Sequence, residues 1–159
     1  MALPSAQDPS RREMEEATPP APGFVFDYLA YLLAAASHGM SAEFHAVIRA
    51  QGLRVPEWRV LACLASRDGL MVSELARITL YDQPRLTKTL NHMEGAGLVV
   101  RRDDEEDRRR VMIHLTEEGR TRIAPLLAAA REHEERFTRK LSPRERASLK
   151  FLLKLLVER

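Results

Sequence analysis

A mainly α chain with a single small β-hairpin is the fold class this sequence predicts, on three observations. Apolar residues recur at helical spacing through most of the 159 positions. Seven glycines, five Phe, three Tyr and one Trp are too few for an all-β sandwich. One stretch, Val111 to Leu115, instead alternates apolar and other residues at the two-residue period of a strand.

Taken in order, residues 1–22 carry Pro4, Pro9, Pro19, Pro20 and Pro22 among polar neighbours. A segment that buries so little is expected to be a flexible arm. Residues 23–159 are expected to form a single domain. A long helix over about 24–50 follows from Phe24, Tyr28, Leu32, Ala35, Phe44 and Val47, with Gly39 a candidate bend. Gln51-Gly52 ends it. Pro56 opens the next helix, whose stripe of Trp58, Leu61, Ala62 and Ala65 stops at Asp68-Gly69. Val72 to Thr79 makes a short helix. Asp82 caps a third that places Pro84 in its first turn, turns Leu86, Leu90 and Met93 inward, and stops at Gly95-Ala96-Gly97.

Leu98 to Val100 and Val111 to Leu115 read as two strands around a charged tip. A two-stranded hairpin is marginal alone, so it must lean on the helices before it. Helix-turn-helix followed by such a hairpin is a winged helix, here over about 55–115. Thr116 caps a further long helix bearing Ile123, Leu126, Leu127, Ala130 and Phe137, closing at Leu141. Ser142-Pro143-Arg144-Glu145 starts the last, with Leu149, Leu152, Leu153, Leu156 and Val157 on one face. The helices over about 24–50 and 116–158 carry more apolar surface than a tri-helical core covers, which marks a partner face.

Composition narrows the function. The formal net charge is +2, so any basic groups that meet a polyanion must be placed locally. Cys63 is the only cysteine, which leaves no intramolecular disulfide and no cysteine-based zinc site, and suits a cytoplasmic location. The N-terminus lacks the pattern of a signal peptide. Val25 to Ala36, broken by Asp27, falls short of the ~20 residues of a membrane span. His38, His45, His92, His114 and His133 are scattered without metal-ligand spacing, and neither a phosphate loop nor a nucleophile elbow is present. The expectation is therefore no enzyme, no metal and no cofactor.

Double-stranded DNA is the partner the pattern favours. The second helix of the pair would expose Gln83, Arg85, Thr87, Lys88, Asn91 and His92; Gln and Arg can each make paired hydrogen bonds to a base edge. A short solvated helix would show the same face. The hairpin tip sets Arg101, Arg102, Arg108, Arg109 and Arg110 against five acids, Asp103 to Asp107. In an extended tip Asp107 and Arg109 face the same way, so Asp107 would brace Arg109 outward for a narrow minor groove; a merely solvated loop is the alternative. A two-fold homodimer would set two recognition helices ~34–36 Å apart on a near-palindromic operator.

Three stretches carry a family resemblance. They are Asp107-x-Arg109-x-x-x-Ile113-x-Leu115-Thr116, Val72-Ser73-Glu74-Leu75-Ala76, and Met93-Glu94-Gly95-Ala96-Gly97-Leu98-Val99. In these the chain resembles the MarR family of bacterial regulators from about Phe24 onward. The resemblance implies a triangular dimer, base contacts from the recognition helix, and a wing in which Asp107 braces Arg109 between Arg108 and Arg110. It departs where Met71 replaces a hydroxyl cap, and where Pro84 and Arg85 replace small hydroxyl residues on the reading face. Family members often release DNA when a phenolic or other aromatic acid binds. His38, His45, Trp58 and Arg59 are the candidate effector residues here, with Trp58 as a flat wall. Two alternatives stay open: an oxidant-responsive regulator acting through Cys63, and a winged helix that serves only protein interaction.

Overall fold

The computed structural model describes residues 23–157; the arm expected over residues 1–22 lies outside them. The described residues fall into two compact units that meet between Ser37 and His38 in the chain. In the first unit, α1 (Phe24–Asp27) is separated from the start of α2 (Leu29–Ala50) by Tyr28, whose backbone is extended. The predicted long helix is thus broken at Tyr28, and the Phe24 and Tyr28 rings stack across the break at 5.2 Å.

The second unit holds the rest of α2, then α3 (Val55–Ser66), β1 (Leu70–Met71), α4 (Val72–Thr79), α5 (Gln83–Gly95), β2 (Val99–Asp103), β3 (Val111–Leu115), α6 (Glu117–Phe137) and α7 (Pro143–Val157). Helix α2 runs through Gly39 without a break. Helices α3, α4 and α5 pack on one another and on the sheet. Their shared core includes Ile48, Leu61, Leu64, Leu75, Leu86, Leu90, Met93, Ile113 and Ile123, all essentially without solvent contact. All but Ile113, which comes from β3, are apolar positions on helices, and removing any of the leucines would leave a cavity costing about 2–5 kcal/mol.

The wing is three-stranded and antiparallel, in the order β1-β3-β2. Register runs from Val99 opposite Leu115 to Asp103 opposite Val111, and β1 adds Leu70 opposite Ile113. The hairpin leans on the helices through Val99, Ile113 and Leu115, which are buried. Strand β1 is only two residues long, too short to show alternation in the sequence.

Asp68 ties the wing down from a distance. Its carboxylate accepts from the Leu115 backbone N–H at 2.8 Å and from Arg120 at 2.8 Å, and lies 3.3 Å from His114 Nδ1. Partial burial works against the charge, but the Leu115 hydrogen bond, His114 and Arg120 outweigh it and hold the pKa below the ordinary carboxylate value. A depressed folded pKa stabilises above the unfolded value, about 3.9, and that stabilisation is lost as pH falls through the folded pKa. Asp68→Asn should therefore cost about 1–2 kcal/mol at pH 7, discounted for partial exposure. Urea titrations at pH 7 and pH 3 should show the gap between variant and wild type closing in acid; a gap that stays constant would count against the charged role.

Helix α7 contains no buried residue. Leu149, Phe151, Leu152, Leu155, Leu156 and Val157 all face out. In the first unit Phe24, Val25, Phe26, Leu29 and Leu32 do the same.

Candidate nucleic-acid interface

Helix α5 starts where the sequence says it must. Asp82 Oδ1 accepts from the Arg85 N–H at 2.8 Å, and Pro84 occupies the first turn, where no intrahelical donor is missed. Leu86, Thr89, Leu90 and Met93 turn inward, which leaves Gln83, Pro84, Arg85, Thr87, Lys88, Asn91 and His92 exposed. Helix α4 ends at Leu80, the only non-glycine residue with positive φ among those described, at 59°. Its left-handed turn aims α5 across α4.

Two of the exposed residues are already engaged. The Asn91 side-chain oxygen accepts from Arg101 Nη2 at 2.7 Å, and Arg101 also pairs with Glu94. This links α5 to strand β2, so Asn91 holds the wing against the helix. His92 Nε2 lies 3.3 Å from the carboxylate of Glu57. Glu57 is buried and also accepts from the Arg54 backbone N–H at 2.7 Å and from Arg54 Nε at 2.8 Å. A carboxylate so enclosed fixes the start of α3 against α5. Glu57 was not singled out from the sequence, and Arg101 only as one of the tip arginines, because their contacts with α5 come from residues far along the chain: His92 for Glu57, and Asn91 and Glu94 for Arg101.

Beside α5, a hollow of about 420 Å³ is lined by Arg54, Pro56, Asp82, Pro84, Arg85, Lys88 and Thr89. Three cations border it, an arrangement suited to a phosphate oxygen. Arg54 was missed as a candidate; its sequence position carries no sign of Arg85 nearby.

The wing tip is a turn, not the extended segment expected. Asp104 Oδ1 accepts from the backbone N–H groups of Glu106 and Asp107, at 2.8 and 3.3 Å. Asp107 Oδ1 accepts from the Arg109 N–H at 3.1 Å, while its other oxygen lies 3.3 Å from Arg110 Nε. Asp107 therefore grips the backbone of Arg109 and the side chain of Arg110, and the expected pairing with the Arg109 guanidinium does not form. A turn brings the carboxylate within reach of its own loop's N–H groups, which an extended strand would not. The result is that Arg108 and Arg109 project with no ion-pair partner among the described residues.

A second cavity, about 250 Å³, lies against α2, α3 and α6 and is lined by residues including Ser41, Phe44, His45, Trp58, Arg59 and His133. Trp58 and Phe44 meet edge to face at 5.1 Å. Burial first, then the nearby charges of Arg59 and Arg49, lower the His45 pKa, so its ring is neutral near pH 7. His133 is buried, and its Nε2 makes no hydrogen bond; Glu43 stands 3.4 Å away without bonding geometry. Three of the four predicted effector residues thus share one cavity. His38 does not: it lies exposed on the surface, outside the lining. His133 joins instead, brought in from α6.

Cys63 is half-buried, and that burial pushes its thiol pKa up, with the Arg59 charge offsetting only part.

A helix pair joined by a three-residue turn, followed by a sheet ending in a charged tip, defines the winged helix-turn-helix class. Residues 51–110 match the model of the MarR family. The crystal structure of the MarR family transcriptional regulator SPO1453 from Silicibacter pomeroyi DSS-3 is 47% identical and superposes with a TM-score of 0.73, covering 84% of this chain and 98% of that one. NadR, solved in complex with 4-hydroxyphenylacetate, is 28% identical with a TM-score of 0.73, over 79% of this chain and 89% of that one. The organic hydroperoxide resistance transcriptional regulator of Bacillus subtilis (strain 168) is 33% identical over 91 residues, 57% of this chain and 62% of that one. The chain thus spans less than two thirds of the length of such a curated relative. It belongs to the MarR family of transcriptional regulators.

Proposed function

We propose that this protein is a ligand-responsive, DNA-binding transcription regulator, not an enzyme, that acts as a homodimer on a near-palindromic operator. Helix α5 lies in the major groove and presents Gln83, Arg85, Thr87 and Lys88, while Arg109 enters the adjacent minor groove. The observation that carries this reading is the charge sorting at the tip. Glu94 takes up Arg101 and Asp107 takes up Arg110, so among the described residues Arg102, Arg108 and Arg109 have no ion-pair partner and a loop of zero net charge still offers three cations. The outward apolar faces of α7 and of residues 24–33 supply the surface for a second copy.

The effector is read as a small aromatic acid in the Trp58 cavity. Arg59 supplies the cation, Trp58 and Phe44 the flat walls, and the unpaired His133 nitrogen a polar group awaiting a partner. A volume near 250 Å³ suits a single ring better than a large conjugate. NadR, a relative crystallised with 4-hydroxyphenylacetate, supports the class. The hydroperoxide regulator of Bacillus subtilis raises the oxidant alternative, but a thiol whose pKa burial pushes up is a poor nucleophile, so Cys63 is disfavoured as a sensor.

The test is selection of genomic fragments bound by the purified protein, followed by footprinting. Two protected half-sites with centres ~34–36 Å apart are expected. Enrichment no better than for random competitor DNA at fixed salt would remove the reading, and a monomer on sedimentation would remove its two-fold part.

A further inference from the structure

We propose that Tyr81 couples the Trp58 cavity to the recognition helix by sharing its ring between Arg59 and Arg85. The inference rests on the reading of α5 as a DNA-contacting helix and deepens it by naming how the cavity reaches that helix.

Tyr81 lies in the turn between α4 and α5. The Arg85 guanidinium carbon sits 4.3 Å from the centre of its ring, and that of Arg59 5.3 Å away. Arg59 belongs to α3, lines the cavity, and donates from Nη1 to the Thr79 carbonyl at the end of α4, at 3.3 Å. One aromatic ring therefore stands between a cavity cation and a cation of the reading face.

The two guanidinium groups are both attracted to the ring and repel each other, within about 10 Å, one Debye length at 0.1 M salt. Repulsion from Arg59 weakens the hold of Tyr81 on Arg85, which rests on the ring at 4.3 Å, and so lowers the cost of lifting Arg85 to a base or phosphate. An anion paired with Arg59 removes that repulsion and draws Arg59 off the ring. Arg85 is then held more tightly on Tyr81 and is withdrawn from DNA. By linkage, bound DNA lowers the affinity of the cavity for the anion by the same factor.

The coupling is read without any ligand by a mutant cycle on DNA affinity, measured by fluorescence anisotropy on the selected fragment. Arg59→Met mimics the withdrawn cation and is expected to weaken binding about fourfold, the size of an exposed cation–π contact. The same change is expected to do nothing once Tyr81→Leu or Arg85→Gln is present, and to regain its effect with Tyr81→Phe, which keeps the ring. An equal loss in the Tyr81→Leu background, as general loss of positive potential would give, overturns the proposal; so does no loss in the wild-type background. If Arg59→Met melts early, Arg59→Gln takes its place in the cycle.

A second arm uses 4-hydroxybenzoate as the probe. Trp58 is the only tryptophan, so its quenching reports the cavity directly. The probe should quench Trp58 in both wild type and Tyr81→Leu, and release DNA only from wild type. Release from both overturns the proposal. No quenching with an intact mutant cycle removes the aromatic-acid reading and supports Tyr81 as the coupler; no selected fragment at all removes the DNA reading, and the proposal with it.

Discussion

Arg109→Ala is expected to weaken operator binding at least about tenfold at fixed salt and to leave the melting curve unchanged. The guanidinium of Arg109 has no partner among the described residues, so its removal strands no buried group and breaks no contact of the fold. Its backbone N–H still bonds to Asp107, so the turn persists. A minor-groove arginine acts through the negative potential there, and the loss of one such contact per half-site falls in the range of about 1–3 kcal/mol. Anisotropy titrations of wild type, Arg109→Ala and Arg110→Ala decide the matter. Arg110 is held by Asp107 and should matter less for affinity. Equal affinity of wild type and Arg109→Ala would falsify the role assigned to the wing.

Gly119→Ala is expected to destabilise by about 2–4 kcal/mol. Inside a helix this change ordinarily stabilises by about 1 kcal/mol. Here the sign reverses, because α6 begins against the backbone of Leu98, just before β2. A methyl group on Gly119 would overlap the Leu98 carbonyl oxygen outright, and would come within 3.1 Å of its carbon and 3.2 Å of Leu115 Cδ2. That carbonyl cannot swing aside easily. It accepts from the Thr116 N–H at 3.2 Å, and Val99, the next residue, is paired with Leu115. Thr116 Oγ1 in turn accepts from Gly119 N–H at 3.0 Å and donates to the Gly97 carbonyl at 2.6 Å. The substitution therefore pushes apart the cap of α6 and the entry to the wing together. A urea midpoint equal to or above that of wild type would show that the junction yields.

Legibility followed distance along the chain. The caps at Asp82, Thr116 and Ser142 were read correctly because each bonds a backbone N–H three residues away. The inward faces of α4 and α5 followed from periodicity alone, whereas the α3 stripe of Trp58, Leu61, Ala62 and Ala65 was set about one position off: Val60 and Leu64 are buried beside Leu61, and Ala65 is exposed. Local readings failed where they assumed the wrong local shape: the tip was taken as extended, so Asp107 was given the Arg109 side chain instead of its backbone. Contacts between distant residues left no trace. Asp68 meets Leu115 across 47 positions, and Arg59 meets Thr79 across 20. Met71 shows the same limit in a milder form. It looked like a weak cap, yet Glu74 accepts from its N–H at 2.9 Å and the helix starts at Val72 regardless. His38 was grouped with His45 by residue type; seven positions along a helix did not bring it into the cavity.

The bare outer surface of α7 has one more consequence. Fifteen residues are close to the shortest length at which an isolated helix holds its shape in water. Only Arg146 and Leu153 of α7 are half-buried, and Lys150 pairs with Glu134, so little of its own chain supports the helix. If the proposed second copy is what covers it, winding of this segment and capture of that copy form a single equilibrium, and dilution is expected to lower the helix content of the chain as well as its assembly.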